Sequence, residues 1–178
     1  EFISGRGQET LDRLGLREVL DRAGAVRARN AAFFSETKST LPRALPSSAI
    51  CLSRFAMDHA LAGEFRRLGG ELREDTRWRE EFGEGVVRAS GRRLQKESSE
   101  SRWFGLKCHV RNVPLGADLE MHLSSRGYVG LCRINGGKVN VCGLFRRRGR
   151  EESTPKDWRE WLFGQPGSLL NQRLARAE

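Results

Sequence analysis

The chain has 178 residues, of which 31% are charged and 38% apolar, with 20 glycines. Those proportions are globular and exclude wholesale disorder, and the length suits one domain or slightly more around a real core. No apolar run approaches the roughly 18 residues needed to cross a bilayer, and no signal-peptide pattern opens the chain, so the expectation is a soluble, cytoplasmic protein without a transmembrane segment. The formal net charge of +9 calls for an anionic partner or for solvated arginine-rich faces. Lysine occurs only at positions 38, 96, 107, 138 and 156, so 27 of the 32 basic residues are arginine, and they are scattered rather than gathered in one arm. Solvated faces are the better reading. Cys51, Cys108, Cys132 and Cys142 form no CxxC pair and no zinc spacing, and read as reduced, mostly buried thiols, with no metal expected.

In chain order, Leu11, Leu14, Leu16, Val19, Leu20 and Ala23 predict one amphipathic helix over 8–23, stopped by Gly24. Gly5 and Gly7 stand at fingerprint spacing before it, but no strand precedes them, so they read as a turn. Pro42 and Pro46 make 25–50 a stretch of short edge strands and irregular connection. Ser53 is a helix N-cap, and Gly69-Gly70 ends the helix it starts. Residues 71–78 read as extended and 85–89 as a short strand running into a turn at Ser90-Gly91.

From Trp103 the period becomes two. Phe104, Leu106, Cys108 and Val110 alternate with polar partners, as do Leu119, Met121 and Leu123, and two further strands flank Asn135-Gly136-Gly137, a hairpin signature. Four strands in meander order are expected, with Arg111 opposite Asp118. That register sets His109 opposite Glu120 and Lys107 opposite His122 on one polar face; these four and Tyr128 are the substrate-side candidates, and the alternating apolar residues lie on the core face. Thr154-Pro155 predicts a helix carrying Trp158, Trp161 and Leu162, and a last helix carries Leu169, Leu170 and Leu174.

The order of segments carries a resemblance. Glu1-Phe2-Ile3-Ser4, Leu14-Gly15-Leu16, Leu52-Ser53-Arg54-Phe55-Ala56-Met57-Asp58, Gly69-Gly70-Glu71-Leu72, Val86-Val87-Arg88-Ala89-Ser90-Gly91-Arg92, Trp103-Phe104-Gly105-Leu106-Lys107-Cys108-His109, Gly127-Tyr128-Val129-Gly130-Leu131 and Val139-Asn140-Val141-Cys142 follow one another as in the FAD-dependent oxidoreductases that include geranylgeranyl reductases and para-hydroxybenzoate-hydroxylase-like monooxygenases. The chain resembles the middle of that superfamily: the N-terminal GxGxxG unit and the later Gly-Asp motif are not in it, and neither is the W-x-W-x-I-P halogenase motif.

The resemblance implies an α+β fold in which an antiparallel substrate-domain sheet with flanking helices joins an incomplete, Rossmann-like FAD-binding portion. It implies that 1–92 supply partial FAD-binding elements with 25–50 inserted, 93–102 a linker, 103–150 the sheet and 151–178 the C-terminal helices. Arg54 matches the arginine of the family's S-R-x-x-x-D helix start, and Ala89, Ser90, Gly91 and Arg92 match the turn at the flavin, so these five are the cofactor-binding candidates. The implied activity is oxidation or reduction of an apolar or aromatic small molecule with FAD as cofactor and NAD(P)H as a possible reductant. The competing class is a small basic nucleic-acid-binding module. It rests on Arg126-Gly127-Tyr128-Val129-Gly130-Leu131, which begins like an RNA-recognition strand and then loses the match at Val129, Gly130 and Arg133.

Overall fold

The computed structural model describes residues 1–77, 83–89, 91, 101–148 and 157–178. Its elements are β1 (Phe2–Ile3), α1 (Arg6–Arg13), α2 (Arg17–Arg22), β2 (Val26–Phe34), β3 (Arg43–Cys51), α3 (Arg54–Arg67), β4 (Ser101–Val110), β5 (Leu119–Ser124), β6 (Gly127–Ile134), β7 (Lys138–Arg148), α4 (Arg159–Leu162) and α5 (Leu169–Leu174). The fold is α+β, as expected: one seven-stranded sheet in the order β1-β3-β2-β5-β6-β7-β4, with short helices on both sides.

Local chemistry explains where the elements break. The single helix expected over 8–23 is two, because Gly15 adopts φ +67° and the Leu16 N–H returns to the Leu11 carbonyl at 2.8 Å, closing α1 before α2 begins. Ser53 caps α3 as expected, its hydroxyl accepting the Ala56 N–H at 3.0 Å. Segment 25–50 is more regular than expected, and its two strands have nine residues each. β2 lies inside the sheet, antiparallel to β3 and parallel to β5. The prolines fit because the β2–β3 register jumps from Ala28↔Ala49 to Asn30↔Ala44, leaving Pro46 in a bulge where its missing N–H costs no ladder bond. Residues 85–89 do not form the expected short strand, the stretch expected to be extended from 71 turns at Glu74-Asp75, and Val87 is almost fully exposed. Ser90, Arg92, most of the expected linker and Thr154-Pro155 lie outside the described residues.

The strands expected after residue 103 are present, but not in meander order. β4 pairs with β7 rather than β5, in ten consecutive partners from Ser101↔Arg148 to Val110↔Val139. A ladder of that length satisfies more backbone groups than the six-residue β5 can offer, and it matches apolar Phe104, Cys108 and Val110 to Phe145, Val141 and Val139. The Asn135-Gly136-Gly137 turn joins β6 to β7 as expected, with Gly136 and Gly137 at φ +71° and +67°.

Helices α4 and α5 cover one face of β4–β7. Leu131, Val141, Phe145, Trp161, Leu162, Leu170 and Leu174 make the main core there, and Trp161 meets Phe104 and Phe145 edge-on at 4.9 and 5.3 Å. Each fully buried aliphatic side chain contributes about 1.5–3 kcal/mol. A second cluster, Leu20, Ile50 and Leu52, holds α1–α3 to β3. The sheet curls strongly enough that Glu1, beside one edge, places its carboxylate 3.4 Å from Lys107 on the other.

Candidate functional site

The ladders divide the side chains of the sheet into two faces, since direct cross-strand partners point the same way. On the face away from α4 and α5, three rows cross the strands. Gly105, Leu144, Tyr128 and Leu123 form the first, Lys107, Cys142, Gly130, Met121 and Phe33 the second, and His109, Asn140, Cys132, Leu119 and Ala31 the third. The first two rows are open: Leu123, Phe33, Tyr128 and Leu144 are all at least 37% exposed, and Trp103 at the rim is 56% exposed. An exposed apolar and aromatic patch of this kind on a sheet makes this face the candidate site.

Two glycines floor it. A Cβ on Gly105 would come no nearer than 3.7 Å to its surroundings, and one on Gly130 would meet Met121 Sδ at 3.4 Å, so packing leaves room for a methyl at both. Without side chains these positions let a flat ligand approach the backbone closely. Cys142 is exposed between them, and Lys107 stands directly across from it.

The third row is polar and leads to α3. His109 sits opposite Asn140 and lines a cleft of about 560 Å³ with Ser53, Phe55 and His59 of the α3 end and with Arg111, Asn135 and Lys138. Asn135 Oδ1 accepts the Ser53 N–H at 2.8 Å, which ties the start of α3 to the β6–β7 turn. Burial, and then the charges of Lys107 and Lys138, hold the His109 imidazole below its ordinary pKa, so it is neutral at pH 7. Asn140 interacts with the side chains of His109 and Cys132, and its Oδ1 is buried without a hydrogen bond of good geometry. Cys132 of this row faces the thiol of Cys51; both are free, and a hydrogen bond between them pushes Cys51 up and Cys132 down.

The candidates named from sequence separate accordingly. Lys107, His109 and Tyr128 share the open face. Glu120 and His122 do not: Glu120 pairs with Leu131 and His122 with Val129, on the face that α4 and α5 cover, and both are buried. The expected pairs His109 with Glu120 and Lys107 with His122 are therefore replaced by His109 with Asn140 and Lys107 with Cys142. The core assignment for β5 was inverted in the same way, and Leu123 is outward and half exposed. Arg54, exposed at the start of α3, donates through Nε to both Asp58 carboxylate oxygens at 2.7 and 2.8 Å. Ala89 and Gly91 are exposed. Sequence reasoning missed Gly105, Gly130, Phe33 and Asn140; the two glycines at outward positions of otherwise regular strands were the available signal.

Comparison with known proteins adds one likeness. No family model and no curated protein matches the sequence. Among solved structures, 99% of the chain superposes on 55% of a triple mutant of a flavin-dependent brominase, with a TM-score of 0.59 and 15% identity. In fold the chain is similar to the flavin-dependent brominase Bmp2. At that identity the likeness is one of architecture: it supports the flavoprotein monooxygenase-like fold, and it does not reach the geranylgeranyl reductase branch. The chain spans about 55% of the length of this neighbour. Among the described residues no helix is long and apolar enough to cross a membrane.

Proposed function

We propose that the chain is part of a flavin-dependent oxidoreductase and that the open face of its sheet lines the chamber in which a flavin ring and an apolar or aromatic substrate meet. The observation that carries this reading is the glycine floor rimmed by Trp103, Tyr128, Leu123 and Phe33, with Lys107 and His109 at its inner edge. The likeness in fold to a flavin-dependent brominase supports FAD as the cofactor.

The residues present fit such a group. Gly105 and Gly130 allow stacking against the backbone, and Lys107 offers a cation for an electron-rich ring. FAD, when bound, supplies the redox chemistry. The chain's own part is positioning and electrostatics: the apolar rim excludes water, Lys107 stabilises negative charge, and neutral His109 accepts or returns a proton at a ring nitrogen. Arg54, Ala89, Ser90, Gly91 and Arg92 remain the proposed contacts to the cofactor, with Arg54's Nη groups as phosphate-binding donors.

Exposed Cys142 reports on this face. FAD is expected to bind weakly, because the glycine-rich turn that grips a dinucleotide's diphosphate is not among these residues, and the test is the rate at which N-ethylmaleimide alkylates Cys142 with increasing FAD. FAD slows the alkylation saturably and short RNA at the same phosphate concentration does not. Alkylation indifferent to FAD, or slowed equally by RNA, refutes the reading, and the latter result favours the nucleic-acid alternative.

A further inference from the structure

Glu120 is wholly buried beneath α5. Its Oε1 accepts the Gly116 N–H at 2.6 Å, and its Oε2 accepts Arg173 Nε at 2.9 Å and lies 3.1 Å from His122 Nε2. Burial alone would push Glu120 up, but the bonds from His122 and Gly116 and the charge of Arg173 outweigh it and hold the carboxyl below its usual range. An ionised carboxylate only accepts, so His122 Nε2 is the donor in this contact, and because Arg173 already balances the Glu120 charge the ring is assigned the tautomer in which Nδ1 is an acceptor. Nδ1 is buried and has no partner among the described residues. Turning the ring over would break the Nε2 contact with Glu120, and the stack on Phe34, with centroids 4.4 Å apart and planes within 13°, resists a smaller tilt.

An unmet buried acceptor is costly, and native structures seldom keep one without a ligand or water beside it. His122 also lines a half-enclosed pocket of about 80 Å³, walled by Phe145, Trp161 and Leu170. That volume exceeds what one water needs. At the rim, the Arg126 guanidinium lies 5.2 Å over the Trp161 ring, and Glu36 and Glu160 stand nearby, so an ion of either sign meets a like charge.

We propose that this pocket is a second ligand site, on the opposite side of the sheet from the open face, for a small neutral ring bearing an O–H or N–H donor, with the donor bonded to His122 Nδ1 and the ring seated against Trp161 and Phe145. The site does not depend on the flavin reading, since His122, Phe145 and Trp161, which would hold the ligand, lie off the open face and only Leu123 of the lining belongs to it.

The test uses phenol, with anisole as the probe that keeps the ring and loses the donor. Titrations of the full chain are followed by Trp161-dependent fluorescence and by the 15N resonances of the histidine rings. Phenol is expected to bind saturably, to move the His122 Nδ1 resonance while leaving His59 and His109 in place, and to bind about three- to tenfold more tightly than anisole, the ratio one neutral hydrogen bond supplies. His122→Gln should erase the preference. Because that variant can fail for reasons of folding, the wild-type resonances decide. Equal binding of phenol and anisole, binding without movement of His122, or no saturation up to the solubility of phenol overturns the proposal, and the last result means that water fills the pocket.

Discussion

Replacing Arg173 by methionine removes the cation from the buried Glu120 while keeping most of the aliphatic stem. In the intact chain Arg173 donates through Nε to Glu120 and through Nη1 to the Pro114 carbonyl at 2.8 Å, and its guanidinium sits 5.7 Å over the Phe34 ring. Breaking a buried pair by deleting one partner costs about 3–5 kcal/mol, because the survivor stays charged out of water. The Arg173 side chain is 25% exposed and Glu120 is not exposed at all, which places the cost at about 3 kcal/mol. For a chain of this size each kcal/mol lowers Tm by about 2–4 °C, so Arg173→Met should melt about 6–12 °C below the parent at pH 7. The pH dependence gives a second reading. Glu120 is depressed in the folded chain, so its contribution is present above the unfolded carboxyl value of about 4.3 and is lost as pH falls through the folded value. Arg173→Met removes one of the groups that depress it, so the gap between parent and variant is widest near neutrality and narrows below about pH 4, where a protonated carboxyl no longer needs the cation. Urea denaturation at pH 7 and pH 3.5 measures both. A loss under about 1 kcal/mol at neutrality, or a loss unchanged by acid, would refute the assignment of Arg173 as the counter-charge of Glu120.

The His109 imidazole should titrate below about 6.5, and Lys107→Met should move its midpoint upward by removing a neighbouring cation; an unchanged or lower midpoint in the NMR titration contradicts the geometry of the open face. Gly127, at φ +151°, leaves no room for a Cβ beneath the Leu144 carbonyl, so Gly127→Ala should cost about 1–3 kcal/mol in urea denaturation. Gly105→Ala has space and should cost much less, yet it should weaken the protection of Cys142 by FAD, and equal destabilisation by the two substitutions speaks against the reading of the glycine floor.

Features that rest on neighbouring residues could be read from the sequence. The Ser53 cap, the Asn135-Gly136-Gly137 turn and the four strands after residue 103 all depend on spacings of a few positions. Strand order could not be read, because β4 is aligned with β7 across some thirty residues and β2 lies parallel to β5 across nearly ninety. The faces of β5 were misread for a related reason. Alternation said that Leu119, Met121 and Leu123 point inward, yet Glu120 is the buried residue because its counter-charge, Arg173, arrives 53 positions later on α5. Alternation fixes which residues share a face, and only the covering helices decide which face is dry. The site shows the same limit: Lys107, His109 and Tyr128 share the open face, while Phe33 joins them only through the parallel β2–β5 pairing.

Helix α3 has fourteen residues and none is buried; Ala56, Met57, Ala60 and Leu61 rest on the Leu20 cluster, while Phe55, Phe65 and Leu68 face outward. Its hydrogen bonds are therefore backed by little apolar area, in contrast with the doubly flanked β6 and β7. In the language of local opening, α3 belongs to the low end of the chain's free-energy ladder and the β6–β7 hairpin to the top. Its amides should exchange with solvent through partial unfolding long before the sheet opens. The residues that α3 carries to the cleft, Ser53, Phe55 and His59, thus ride on an element that can yield while the glycine floor and His109 stay fixed, giving the cleft one compliant wall and one rigid one.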